Sequence, residues 1–94
     1  MNVEVTTKAV KDTEAFPENV HKLIVQQISR LMSAKNLRDL GNVLRMKGTD
    51  EPYYRLKIKQ YRLIMYYEED TETIIVKRVK HRKEAYKKQN LPWR

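Results

Sequence analysis

Residues 53–67 read Tyr53-Tyr54-Arg55-Leu56-Lys57-Ile58-Lys59-Gln60-Tyr61-Arg62-Leu63-Ile64-Met65-Tyr66-Tyr67, and the fold follows from them. In the first half apolar and basic residues alternate. Tyr54, Leu56 and Ile58 point one way; Arg55, Lys57 and Lys59 point the other. Period two is the signature of a strand with one buried and one wet face. A second strand-like run, 61–68, follows too soon for a helix to intervene, so the stretch predicts an antiparallel hairpin. With Lys59-Gln60 as a two-residue turn, Ile58 pairs with Tyr61, Lys57 with Arg62 and Leu56 with Leu63. Directly opposed residues share a face. Leu56 and Leu63 then look into the core, while Lys57 and Arg62 stand side by side outside it. Lys59-Gln60 is a poor turn dipeptide, since a type I′ turn favours Asn-Gly or Asp-Gly, so the register rests on the apolar pattern alone.

Like charges directly opposite each other destabilise a sheet. A sequence that gathers Arg55, Lys57 and Arg62 on one face works locally against folding, and such conflicts concentrate where function demands them. A concentrated cationic face suits a polyanion, phosphate above all. The plainer reading is a solvated, lysine-rich face that discourages edge pairing.

The totals narrow the classes. A chain of 94 residues predicts a single domain, 1–94, with a modest core. It has no cysteine, so disulfides, cysteine metal sites and thiol nucleophiles are excluded. Its two histidines, His21 and His81, make no metal site without carboxylate help, and neither a metal nor another cofactor is expected. No stretch approaches the roughly 20 apolar residues of a membrane span. The start, Met-Asn-Val-Glu-Val-Thr-Thr, lacks a signal peptide's basic and apolar regions, so the expectation is a cytoplasmic protein with no membrane partner. The net charge is +8, from 20 Lys and Arg against 12 Asp and Glu. It is gathered late: Lys77, Arg78, Lys80, Arg82, Lys83, Lys87, Lys88 and Arg94 stand against Glu84 alone. That excess favours nucleic acid or an acidic protein partner.

Around the hairpin, 1–6 alternates weakly through Val3 and Val5 and predicts a short strand. Thr6 or Thr7 is placed to cap a helix running through Phe16. Pro17 suits the first turn of a second helix, 17–34, along which Val20, Leu23, Ile24, Ile28, Leu31 and Met32 form an apolar stripe. His21 lies beside the stripe and reads as a boundary residue. After a connector, 35–41, come a strand at 43–47, turn residues at 48–52, the hairpin, and an acidic loop at 68–73. The segment 73–80 is a further strand. Its apolar residues Ile74, Ile75, Val76 and Val79 do not keep one parity, which a bulge or a central position would explain. A short helix is expected over 82–88, then a tail whose Trp93 is available to pack back. The prediction is an α+β fold. An N-terminal strand and two helices pack on one face of an antiparallel sheet, a short C-terminal helix follows, and the charges lie on the free face.

A second constellation stands at the end of the last strand: Val79-Lys80-His81-Arg82-Lys83-Glu84-Ala85-Tyr86. Histidine exchanges protons near neutrality, arginine clamps phosphate, and tyrosine stacks on a base or hydrogen-bonds. If His81 ends a strand beside the hairpin, it is expected to reach the same face as Lys57 and Arg62. The plainer reading makes His81 an exposed strand end and Tyr86 a packing aromatic.

Taken together these pieces resemble the RelE/ParE bacterial toxin family, and more closely its RelE-like branch. The resemblance rests on the strand-helix-helix start, on Leu44-Arg45-Met46-Lys47-Gly48, on Tyr54-Arg55-Leu56-Lys57 followed by Tyr61-Arg62-Leu63-Ile64, and on Val79-Lys80-His81-Arg82 ending in Tyr86. It covers nearly the whole chain. It implies a toxin of a type II toxin-antitoxin system, neutralised by a cognate antitoxin protein, that cuts messenger RNA in the ribosomal A site without metal. The family's basic positions fall on Arg55, Lys57 and Arg62, its terminal basic or histidine position on His81 with Arg82 competing, and its late tyrosine on Tyr86. Lys47, Lys59, Arg82 and Lys83 are the further nucleic-acid contacts expected. The sequence departs from the family where Lys80 stands in place of a frequent Gly, where Lys59-Gln60 stands in place of a common Gly-Asp turn, and at Arg55, where some members have Lys.

The implied chemistry uses the RNA's own 2′-hydroxyl as nucleophile and leaves a 2′,3′-cyclic phosphate and a 5′-hydroxyl. Arg55 and Arg62 are then expected to stabilise the phosphorane, Lys57 to act as base, His81 as acid, and Tyr86 to align or stack a base. The rival within the resemblance is a noncatalytic toxin of the ParE type that poisons DNA gyrase. A plain basic RNA-binding module is the third reading.

Overall fold

The computed structural model describes residues 1–93. The first strand, β1 (Asn2–Val5), runs into Thr6, whose extended backbone and hydroxyl cap helix α1 (Thr7–Thr13). Thr6 Oγ1 accepts the Ala9 N–H at 3.1 Å. The helix stops at Thr13 rather than Phe16; the Thr13 hydroxyl donates back to the Val10 carbonyl at 2.7 Å. Pro17 stands immediately before helix α2 (Glu18–Ser33), where a missing N–H leaves no helical bond unmade. Val20, Ile24 and Leu31 are buried, with Leu23 and Ile28 packed beside them. Met32 was expected in that stripe but is exposed, because it lies about 100° further round the helix than Leu31.

A 3-10 turn (Leu37–Asp39) leads to β2 (Val43–Arg45), followed by β3 (Tyr53–Ile58), β4 (Tyr61–Glu68) and β5 (Thr73–His81). The five strands lie in the order β1-β5-β4-β3-β2. Strands β2 to β5 form an antiparallel meander. The edge pair β1 and β5 is parallel, a pairing the sequence does not assign, so the sheet is mostly antiparallel. Two helices and three strands separate this pair, so no hairpin imposes a direction on it. The hairpin has the predicted register: Ile58 opposes Tyr61, Lys57 opposes Arg62 and Leu56 opposes Leu63. The poor turn dipeptide is accommodated by Lys59 in the left-handed region, φ 50°.

The mixed parity of β5 has its cause in a bulge. Ile64 opposes Arg78 and Met65 opposes Val76, which leaves Lys77 without a partner. Ile74, Val76 and Val79 therefore all face the helices, where they join Leu56, Leu63, Met65 and Leu31 in the main core. Beyond the end of β1, α1 takes over the edge of β5. Thr6 N–H donates to the Val76 carbonyl and Thr6 Oγ1 to the Lys77 carbonyl.

The sheet face remote from the helices is only partly free. Met46, Tyr53 and Ile64 form a second cluster there, closed by Tyr66, Leu91 and Trp93. Trp93 packs back as expected, its ring 4.9 Å from that of Tyr53. The C-terminal α-helix expected over 82–88 gives way to turns and a single 3-10 turn at Lys88–Asn90. The Asn90 side chain donates to the Glu84 carbonyl at 2.7 Å, taking an acceptor that a continuing helix would have used. Among the described residues no helix is long and apolar enough to cross a membrane.

Candidate nucleic-acid interface

Antiparallel pairing places side chains in rows across the sheet. On the far face one row reads Lys57–Arg62–Lys80 across β3, β4 and β5. The next reads Leu44–Arg55–Ile64–Arg78, from β2 to β5. Five cations thus share one face with Ile64 between them, and the hairpin delivers Arg55, Lys57 and Arg62 together as its alternation predicts.

Arg62 is nearly buried, at 9% exposure. Its Nη1 donates to the Lys59 carbonyl at 2.9 Å and to the Tyr61 carbonyl at 2.8 Å. One side of the guanidinium therefore closes the hairpin turn. An arginine held in this way presents the rest of its fork in one orientation, which is how a planar cation gains specificity for phosphate. Lys57 beside it is exposed.

Arg55 and Tyr86 both line a groove of about 290 Å³, together with Leu44, Arg45, Met46 and Lys47. Tyr86 is 48% exposed, so it is not the packing aromatic of the plainer reading; its neighbour Ala85 is buried instead. An open phenol face beside a guanidinium suits a base and its phosphate. Lys47, expected as a contact, lies in this groove. Lys59 and Arg82 are brought together at the hairpin end, where the Arg82 N–H donates to the Gln60 carbonyl at 2.7 Å. Lys83 is exposed in the following turn.

His81 is the correction. It opposes Tyr61, whereas Lys80 opposes Arg62, so its ring stands on the helix side and not on the cationic face. The ring lies edge-on to Tyr61 with centroids 5.5 Å apart. Its Nδ1 accepts the Lys83 N–H at 3.2 Å, and Nε2 lies 3.2 Å from Gln60 Oε1. Both contacts are made by neutral imidazole with its proton on Nε2. A strand of period two forces the outcome: if Lys80 joins the cations, its neighbour cannot.

Two participants were missed in the sequence, Lys80 and Asp12. Asp12 on α1 reaches the edge of β5, where it takes Arg78 Nε at 2.8 Å, Lys80 Nζ at 3.0 Å and the Val79 N–H at 3.1 Å. Burial opposes ionisation of this carboxyl, but those hydrogen bonds and the Arg78 charge outweigh it and hold its pKa below the usual carboxylate value. The same bond raises the pKa of Arg78 further. Only the bulge at Lys77 puts Arg78 and Lys80 on the far face; the broken parity of the strand allows a bulge or a central position and does not say where a bulge falls. Among the described residues no group of three or more His, Asp or Glu side chains gathers as metal ligands do.

This is a small basic α+β protein, with two helices behind a five-stranded sheet and a row of cations in front. The chain belongs to the ParE toxin family of type II toxin-antitoxin systems, whose model matches residues 3–86. It is 35% identical over 78 residues to Toxin RelE3 of Methanocaldococcus jannaschii, covering 82% of this chain and 85% of that one. The RelB-RelE antitoxin-toxin complex from Methanococcus jannaschii superposes with a TM-score of 0.73 at 29% identity, covering 90% of this chain and 96% of that chain. The archaeal RelE-RelB complex from Pyrococcus horikoshii shares the fold, with a TM-score of 0.72 at 21% identity over 86% of this chain and 93% of that chain.

Proposed function

We propose that this toxin is a metal-independent endoribonuclease that cuts messenger RNA in the ribosomal A site. The observation that carries the reading is the single cationic face on which Lys57 and Arg62 are paired and Arg55 shares a groove with an open Tyr86. A scissile phosphate between the two rows would receive positive charge from Arg62 and Arg55 as the phosphorane forms. The 2′-oxygen attacks the adjacent phosphorus and passes its proton to Lys57, which takes this role only as the neutral amine; the bond to the 5′-oxygen breaks, and that oxygen leaves as a hydroxyl. The products are a 2′,3′-cyclic phosphate and a 5′-hydroxyl. The leaving oxygen takes its proton on this same face, where Tyr86 offers a phenol, and not from His81 on the other. Lys47, Lys59, Arg82 and Lys83 hold the flanking backbone as point charges.

A cognate antitoxin follows from two supports: similar structures are toxin-antitoxin complexes, and an exposed cationic face on a toxic protein must be covered when idle. An acidic segment that folds on binding suits it.

The test is primer extension on ribosomes stalled over a defined message. Cuts within the A-site codon that disappear with Arg62→Ala support the reading. Intact message with folded, antitoxin-free protein overturns it. The alternative in that event is a noncatalytic ParE-like toxin acting on DNA gyrase, which would be seen as a DNA-damage response ahead of any arrest of translation.

A further inference from the structure

We propose, on the ribonuclease reading above, that Asn90 is a positioning residue for Tyr86: by holding the Glu84 carbonyl, its side-chain amide fixes the turn on which the phenol stands.

Tyr86 stands at the end of the turns at 82–86, with no helix beneath it. A helix would fix its direction through a ladder of backbone bonds; a turn needs other anchors. One anchor is the end of β5, where the His81 carbonyl accepts the Glu84 N–H at 2.8 Å and the Ala85 N–H at 3.0 Å. The other is Asn90. Its Nδ2 donates at 2.7 Å to the Glu84 carbonyl, which also accepts the Lys87 N–H at 3.2 Å. Tyr86 lies inside the loop that the Asn90 bond closes. Its neighbour Ala85 is buried, whereas Tyr86 is 48% exposed. The backbone beneath the phenol, more than packing around its ring, therefore sets where it stands.

Asn90 is itself 7% exposed. A buried amide is costly unless hydrogen-bonded, so the bond to Glu84 ties the turn and the tail to each other. The following residues carry that constraint to the sheet, because Leu91 and Trp93 close over Tyr53 and Ile64. Ile64 is the register partner of Arg55 and shares β4 with Arg62. The path from Ile64 through the tail and Asn90 to Glu84 thus sets Tyr86 against the strands that hold Arg55 and Arg62. Strand β5 alone would hold it by one end. A misplacement of about 1 Å at a reacting group costs about 10²-fold in rate. Release of the turn at Glu84 should therefore cost rate and not binding, since the cations that attract RNA stay where they are.

The experiment is single-turnover cleavage of a defined message on stalled ribosomes across a range of toxin concentration. Each variant is melted thermally, and rates are taken below every melting transition. Asn90→Ala should lower the maximal rate by about tenfold and leave the concentration for half-maximal rate within about twofold. Asn90→Asp, nearly the same shape without the donor, should show the same loss. Gln89→Ala, exposed in the same 3-10 turn, should change neither. The decisive arm repeats Asn90→Ala in a Tyr86→Ala background, where it should cost less than about twofold because the side chain to be positioned is gone. Equal losses in both backgrounds would show that Asn90 only supports the fold, and the inference is overturned. It is overturned equally if Asn90→Ala and Asn90→Asp cut at the unaltered rate, or if Tyr86→Ala does; in these cases the ribonuclease reading stands. If the folded, unaltered protein cuts nothing, that reading fails and takes this inference with it.

Discussion

Arg62 serves two masters, and its substitutions should separate them. Its Nη1 satisfies two carbonyls at the hairpin end, while the remainder faces the cationic row. Arg62→Ala should destabilise the fold by about 1–3 kcal/mol, since two acceptors lose their partner, and should lower cleavage by about 10²–10³-fold. Urea unfolding beside primer extension reads both. Arg62→Lys should recover part of the stability but little of the cleavage, because a point charge does not reproduce the fork. His81→Ala should leave cleavage within about threefold, whereas Tyr86→Phe should lower it by at least about tenfold if the phenol donates a proton. Equal losses for both variants would return His81 to the mechanism. At this scale alternation and register put Arg55, Lys57 and Arg62 on one face, where the structure has them, while Tyr86 was singled out by its place in the run 79–86 and by the family resemblance. The sequence misplaced His81 because face assignment at a strand end depends on a register set by another strand.

Among the elements, the hairpin and the bulged strand behave in opposite ways. The hairpin is local: alternation alone predicts the Lys57–Arg62 pair that forms. Its weakness is Lys59, a non-glycine residue at φ 50°. Lys59→Gly should remove that strain and stabilise by up to about 1 kcal/mol, raising Tm by a few degrees, roughly 2–6 °C. The same substitution removes a cation from the hairpin end, so binding to programmed ribosomes should weaken as Tm rises. A fall in Tm would show that Lys59 contributes contacts worth more than its backbone strain. Strand β5 is the nonlocal case. Its apolar residues read as out of phase because Lys77 is inserted between Val76 and Arg78, and the bulge is defined only against β4. Gly48, at φ 91°, is likewise required where the chain turns between β2 and β3.

For the whole molecule, Asp12 ties α1 to β5 across 66 residues of sequence. Burial opposes its ionisation, but the Arg78, Lys80 and Val79 hydrogen bonds hold its folded pKa below the ordinary carboxylate value. A carboxyl of that kind contributes stability above its unfolded value, and the contribution is lost as pH falls through the folded value. Acid unfolding should therefore steepen below about pH 4. Asp12→Asn should cost about 3 kcal/mol at neutral pH by leaving Arg78 and Lys80 uncompensated. The variant should also show a flatter acid limb, which urea midpoints across pH measure directly. The far-face cluster makes the tail part of the fold: Trp93→Ala should destabilise by about 2–3 kcal/mol, and near-UV dichroism together with thermal melting checks it.

What the sequence by itself determined is what short-range physics specifies. The period-two run dictates a hairpin and its register, the apolar stripe after Pro17 dictates an amphipathic helix, and the gathered lysines and arginines dictate a cationic surface. The tertiary structure alone decided the parallel seating of β1 on β5, the bulge at Lys77, the tail folded over Ile64, and the side on which His81 stands. Each of these is a contact between segments far apart in the chain. Its geometry is set by how two surfaces fill the same space, and no periodicity within one segment records that.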